Sequence, residues 1–306
     1  MYKRQLEVKD ITFSVEPLGA DGDNTSDADA TIIPSSRTIT WSIQGDSLGC
    51  SINSSTGVIT NCDISIFGDG PALTVLKFDS CDGFQFNYTT TDHFRAQVSD
   101  MSLLQEAEGT YIAITLSNTS GSTGEGYHTL FSNLDFMYRN PTAGNFTNHC
   151  WKTGISIQGV SDGTIEKCIF LSNNTVYDTA FIRFTEDEET YRWSITGNSI
   201  GWCNKAIELD TSATAFHEGV TIMDNDADDV DYFVYHVYST GDLNIQRIEV
   251  ASNYAFCGKD CINISALLPD IHDNILVHDQ TVYTSTNGQY SCVYLTGETI
   301  NGLVHD

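Results

Sequence analysis

A short unit, apolar–x–x–Asn–x–apolar, recurs along the second half of the chain. It reads Ile195-Thr196-Gly197-Asn198-Ser199-Ile200, then Ile222-Met223-Asp224-Asn225-Asp226-Ala227, Val250-Ala251-Ser252-Asn253-Tyr254-Ala255 and Ile271-His272-Asp273-Asn274-Ile275-Leu276. The four Asn are spaced 27, 28 and 21 residues apart. Leu130-Phe131-Ser132-Asn133 is an earlier copy, and Ile165-Glu166-Lys167-Cys168-Ile169-Phe170 carries Cys in place of Asn. Nine residues beyond each of the four Asn stand Ile207, Val234, Ile262 and Tyr283. Around the first three run the alternating segments Ala206–Leu209, Phe233–Tyr235 and Cys261–Ile264. Earlier equivalents are Tyr111–Ile114, Gly154–Ile157 and Phe181–Phe184. Short alternating runs read as half-buried strands.

Self-similarity at this period, with two or three short strands per unit, predicts a solenoid whose stacked coils supply one another's core. A fixed Asn fits a left-handed corner, where stacked amides bond along the ladder. The expected class is all-β: a right-handed single-stranded parallel β-helix of about eight to ten coils. Residues 1–62 read as an N-terminal opening or cap segment and 63–306 as the helix. A β-sandwich has similar strand spacing but lacks the repeated Asn. Ile39–Ile43 and Ser51–Thr60 also resemble a hairpin of bacterial immunoglobulin-like domains, so a small immunoglobulin-like unit is the rival reading of residues 1–62.

Charge narrows the partners. The 306 residues hold 14 Lys plus Arg against 41 Asp plus Glu, a formal net charge of −27. That argues against nucleic acid and against an anionic membrane surface. No apolar run is long enough for membrane insertion, and Met1–Leu6 has no apolar core behind its positive charges, so no signal peptide is expected. The nine cysteines form no CxxC pair and read chiefly as buried thiols.

Two segments carry a family resemblance. Val15-Glu16-Pro17-Leu18-Gly19-Ala20-Asp21-Gly22-Asp23-Asn24-Thr25-Ser26-Asp27 resembles the motif that opens parallel β-helices of the pectate-lyase-like superfamily, phage tailspikes among them. Ile64-Ser65-Ile66-Phe67-Gly68-Asp69-Gly70-Pro71-Ala72-Leu73-Thr74-Val75-Leu76 is similar to that family's first full coil. The amphipathic helix that usually follows the opening motif is missing. The resemblance implies a phage tail appendage that recognises host-surface polysaccharide and works as a homotrimer in the virion, alongside other tail proteins. An extracellular, purely structural or adhesive β-helix is one alternative. A polysaccharide depolymerase is the other, a glycoside hydrolase before a lyase, since a lyase would need more basic residues than this chain offers.

Candidate chemistry follows from strand alternation. With Ile207 and Leu209 inward, Glu208 and Asp210 face outward, about 6.5–7 Å apart along the strand, a spacing that suits an inverting acid–base pair. Arg183, Tyr235 and Asn263 are expected as outward neighbours in adjacent coils. Tyr232, Tyr235 and His236, within the aromatic run Tyr232–Tyr238, are candidates with Arg183 for stacking on and bonding to sugar. The acidic run Glu186–Glu189 reads as a solvated loop. No cofactor is expected. The one metal the sequence admits is calcium, on a loose site at Asp224, Asp226 and Asp228, because the loop lacks the EF-hand Gly and Glu. Gly45–Gly49 matches an esterase-type motif without its partner residues.

Overall fold

The computed structural model describes residues 63–71, 73–78, 81–89, 95–105, 110–119, 128–136, 151–172, 179–185, 190–210, 217–237, 245–265, 272–284, 290–296 and 300–305, preceded by the short strands 13–16, 27–28, 51–52 and 59–60. Every regular element among them is a β-strand, and they form two sheets. The smaller, second sheet runs Ile59–Thr60, Phe84–Tyr88, Ile112–Asn118, Thr153–Gln158, Ala180–Phe184, Lys205–Leu209, Tyr232–Val237, Ile262–Ser265 and Val293–Thr296, each parallel to the next. The larger, first sheet supplies the other sides of each coil. In one coil these are Trp193–Thr196 and Ser199–Gly201; in the next, Thr221–Met223 and Asp226–Val230. The architecture is a parallel β-solenoid.

About six turns lie between Ala96 and Ser265, and a further coil on either side carries the ladders on to Asp63 and His305, which reaches the lower end of the eight to ten coils expected. The early coils are the longest. Met101 to Leu134 takes 33 residues and Leu134 to Cys168 takes 34, where the period later shortens to about 27–30.

The interior is one apolar column. Ile155, Ile182, Ile207, Val234 and Ile262 stack in register from the second sheet, and Ile165, Ile195, Ile222 and Val250 from the first, each fully buried. Phe136 and, from the next coil, Phe170 and Phe181 pack together with ring centroids 5.3–6.1 Å apart. Burying a side chain of this size is worth roughly 1.5–3 kcal/mol. Trp193 lies across Gly163 of the preceding coil and donates its indole N–H to the Val160 carbonyl at 2.8 Å. A Cβ on Gly163 would fall 2.2 Å from that ring, so glycine alone fits there.

The corners explain the Asn repeat. Lys167, Gly197, Asp224, Ser252 and Asp279 all take left-handed backbone, φ 52–65°. Each residue that follows turns inward. Asn198, Asn225 and Asn253 are buried there and form an amide ladder: Asn198 Nδ2 donates to Asn225 Oδ1 at 2.9 Å, Asn225 Nδ2 to Asn253 Oδ1 at 3.0 Å, and Asn253 Nδ2 to Gln280 Oε1 at 3.2 Å. The same amides donate to the carbonyls of Ile165, Ile195 and Ile222 and accept from the backbone N–H of Cys168, Asn198 and Asn225. The ladder thus saturates every amide donor at buried corners, which is why Asn recurs there.

Two members of the sequence repeat sit elsewhere. Register places Gln280, not Asn274, on Asn253, and Asn133 occupies the left-handed position itself, with Leu134 on the inward side. Val293, not Tyr283, continues the inward row of Ile262. At the N-terminal end, Phe13–Glu16 pairs antiparallel with Asp27–Ala28 and Asp63–Phe67. Ser51–Ile52 pairs antiparallel with Ile59–Thr60, which joins the second sheet. Most of the opening motif, Ile39–Ile43, Gly45–Gly49 and Glu186–Glu189 lie outside the described residues.

Candidate functional site: the outer face of the second sheet

Alternation along the second sheet turns one residue per strand outward at each level, and the parallel register stacks these into rows. The central row runs Gln85, Thr115, Ser156, Arg183, Glu208, Tyr235, Asn263 and Tyr294. It contains no aliphatic side chain. From Arg183 to Tyr294 it covers four inter-strand steps, about 19 Å. A neighbouring row, Asn87, Ser117 and Gln158, adds hydroxyls and amides, with Ser117 Oγ donating to Asn87 Oδ1 at 3.2 Å.

Charge and aromatic groups gather in the middle of this face. Glu208 is only 6% exposed, and each of its carboxylate oxygens meets a cation: Arg183 Nε donates to Oε2, and Lys205 Nζ to Oε1 at 2.5 Å. Lys205 reaches the same level because it sits three residues back on the strand, opposite Tyr232 of the next coil. Its ammonium lies 4.9 Å from the centre of the Tyr235 ring. Tyr235 and Tyr232 are 4.6 Å apart, centroid to centroid, and Lys259 Nζ stands 5.2 Å from the Tyr232 ring. Lys259 pairs in turn with Asp231 at 3.2 Å, and Asn204 Nδ2 donates to Asp231 Oδ2 at 3.1 Å. Burial pushes the Tyr232 hydroxyl above its ordinary pKa, against the opposing pull of Lys259. Asn263 donates from Nδ2 to Asp260 at 3.1 Å, while its buried Oδ1 accepts no hydrogen bond among the described residues. Tyr290 and Tyr294 lie exposed toward the C-terminal end.

The structure therefore brings Arg183, Glu208, Tyr232 and Tyr235 together and sets His236 and the Asp224, Asp226 and Asp228 group apart from them. Asp210 lies one residue beyond the strand Lys205–Leu209 and is half-buried, its carbonyl accepting the Nε2–H of His217 at 2.7 Å. His236 points into the coil, 1% exposed, and its Nδ1–H donates to the Leu209 carbonyl at 2.7 Å. It does not line the outer face, because Tyr235 takes the outward position and alternation sends its neighbour inside. Asp224, Asp226 and Asp228 are exposed along a different wall, on the first sheet, and no three His, Cys, Asp or Glu among the described residues converge to hold a metal ion. Alternation also marks Tyr294 as outward, so it was open to sequence reasoning, whereas Lys205 stands at an odd spacing from Glu208 and alternation alone would send it inward. Lys259 sits in the turn after Tyr254–Cys257, where no periodic pattern reports direction.

Comparison with protein-family models, with curated proteins and with solved structures finds no match to this chain. The fold alone defines the class, a parallel β-solenoid with a polar and aromatic outer face.

Proposed function

We propose that the protein is a tail appendage of the tailspike type, which recognises a host-surface polysaccharide on the outer face of its second sheet. The observation that carries this reading is the Tyr232–Tyr235 pair, flanked by Lys205 and Lys259 and continued by Asn263 and Tyr294 on a regular row. Aromatic rings beside charged hydrogen-bonding groups are what pyranose rings and their hydroxyls require. Repetition at strand spacing suits a repeating polymer. The opening motif and the Ile64–Leu76 coil support the viral setting, and with it a homotrimer and other tail proteins as partners.

Binding fits this geometry better than cleavage. A general acid must carry a proton to give, and both oxygens of Glu208 already accept from cations. The test is a panel of capsule and O-antigen polysaccharides, scored for binding and for reducing-end release. Binding without release that falls at least tenfold in Tyr235→Ala supports the reading. Release that disappears in Glu208→Gln would make the protein a depolymerase instead, and silence on every glycan would leave a structural or adhesive role.

A further inference from the structure

Resting on that reading, we infer that the polysaccharide is an uncharged, hydroxyl-rich glycan rather than one bearing uronate or sialate carboxylates. An acidic sugar needs an uncompensated cation. The central face holds Arg183, Lys205 and Lys259, and each is engaged by a carboxylate of the same face, Glu208 or Asp231. Asp260 adds a further negative charge beside Asn263. Around this compensated patch the chain carries −27, a field that opposes the approach of an anionic polymer over a Debye length of about 8–10 Å.

What the row presents instead is polar and neutral. Thr115, Ser156, Ser117, Asn87 and Gln158 give hydroxyls and amides on the N-terminal side. Tyr232, Tyr235 and Tyr294 give ring faces and phenol groups on the C-terminal side. The nine-tenths-buried Oδ1 of Asn263, with no partner among the described residues, is an acceptor. A sugar hydroxyl can donate to it, whereas an ionised carboxylate cannot.

The test uses the full chain and matched oligosaccharides, one set of neutral hexose and N-acetylhexosamine repeats and one set with uronate or sialate, titrated at low salt and at about 0.15 M salt. The expected result is binding of a neutral set with less than a twofold change across salt, and none of the acidic set. Glu208→Gln and, independently, Asp231→Asn each release a cation, and each should gain at least tenfold for acidic oligosaccharides at low salt. Binding of an acidic set by the unaltered chain, weakening with salt, would overturn this inference and leave the glycan-binding reading standing. Binding of neither set, or binding of a neutral set that Tyr235→Ala leaves unchanged, would overturn both.

Discussion

Asn225 shows how much one side chain does in this fold. Its amide donates to Ile195 and Asn253 and accepts twice from Asn198. Asn225→Ala strands these groups in the interior, and buried unsatisfied polar groups cost about 1–3 kcal/mol each. We expect Asn225→Ala to lower stability by roughly 2–4 kcal/mol in denaturant unfolding. An unchanged unfolding midpoint would contradict the ladder. His217 is the other telling residue. It is fully buried against Phe184, 5.5 Å between rings, and burial pulls its pKa down to about 4 from 6.5. The unfolded chain therefore takes up this proton first. Stability is held above pH 6.5 and declines as pH falls toward 4, by up to about 3 kcal/mol. His217→Gln should flatten that slope in unfolding curves between pH 4 and 7. His278 acts with the opposite sign: the hydrogen bonds its ring donates to Asp279 and then to Glu249 raise its pKa, so its contribution is present below pH 6.5 and fades as pH rises through the raised value.

At the scale of the element, the strands were legible in the sequence and their alignment was only partly so. Alternation found Phe181–Phe184, Ala206–Leu209 and Cys261–Ile264, because a two-residue period reports directly which side chains face a core. The match of Asn198, Asn225 and Asn253 likewise reflected real register. It failed at Asn274, since Gln280 supplies the same amide and a motif built on Asn does not see it. It slipped by one at Asn133, where a left-handed corner tolerates Asn as readily as an inward ladder position demands it. In the site, Arg183 beside Glu208 beside Tyr235 followed from alternation plus coil spacing, whereas the clamp on Glu208 depended on how long side chains lie across strands, which no period encodes. Two tests belong here. Gly163→Ala drives a methyl into the Trp193 ring, and overpacking of this kind costs about 1–3 kcal/mol; an unchanged unfolding midpoint would contradict the packing. Among the described cysteines, Cys81 and Cys292 are exposed and the other four buried. Burial raises the Cys168 thiol to about 12 and shifts Cys203 in the same direction. A thiol reagent at pH 8 should therefore label Cys81 and Cys292 in the native protein, and reach Cys168 and Cys203 only after unfolding.

For the whole molecule, the two sheets divide the labour. The first sheet carries the corners and the amide ladder that fix the stack. The second presents its rows of polar and aromatic groups at a constant strand spacing, so a binding surface grows with each coil. The appendage reading adds that three chains associate, and light scattering should return three times the 33.7 kDa chain mass; a monomer at micromolar concentration would remove the trimer. The claim on which function rests is the location of the glycan. Hydroxyl-radical footprinting of the tyrosines, with and without the oligosaccharide that binds best, tests it most directly. The account predicts protection of Tyr232, Tyr235 and Tyr294 and none of Tyr254 or Tyr283 on the first sheet. Protection of Tyr254 and Tyr283, with the second-sheet tyrosines unaffected, would contradict it.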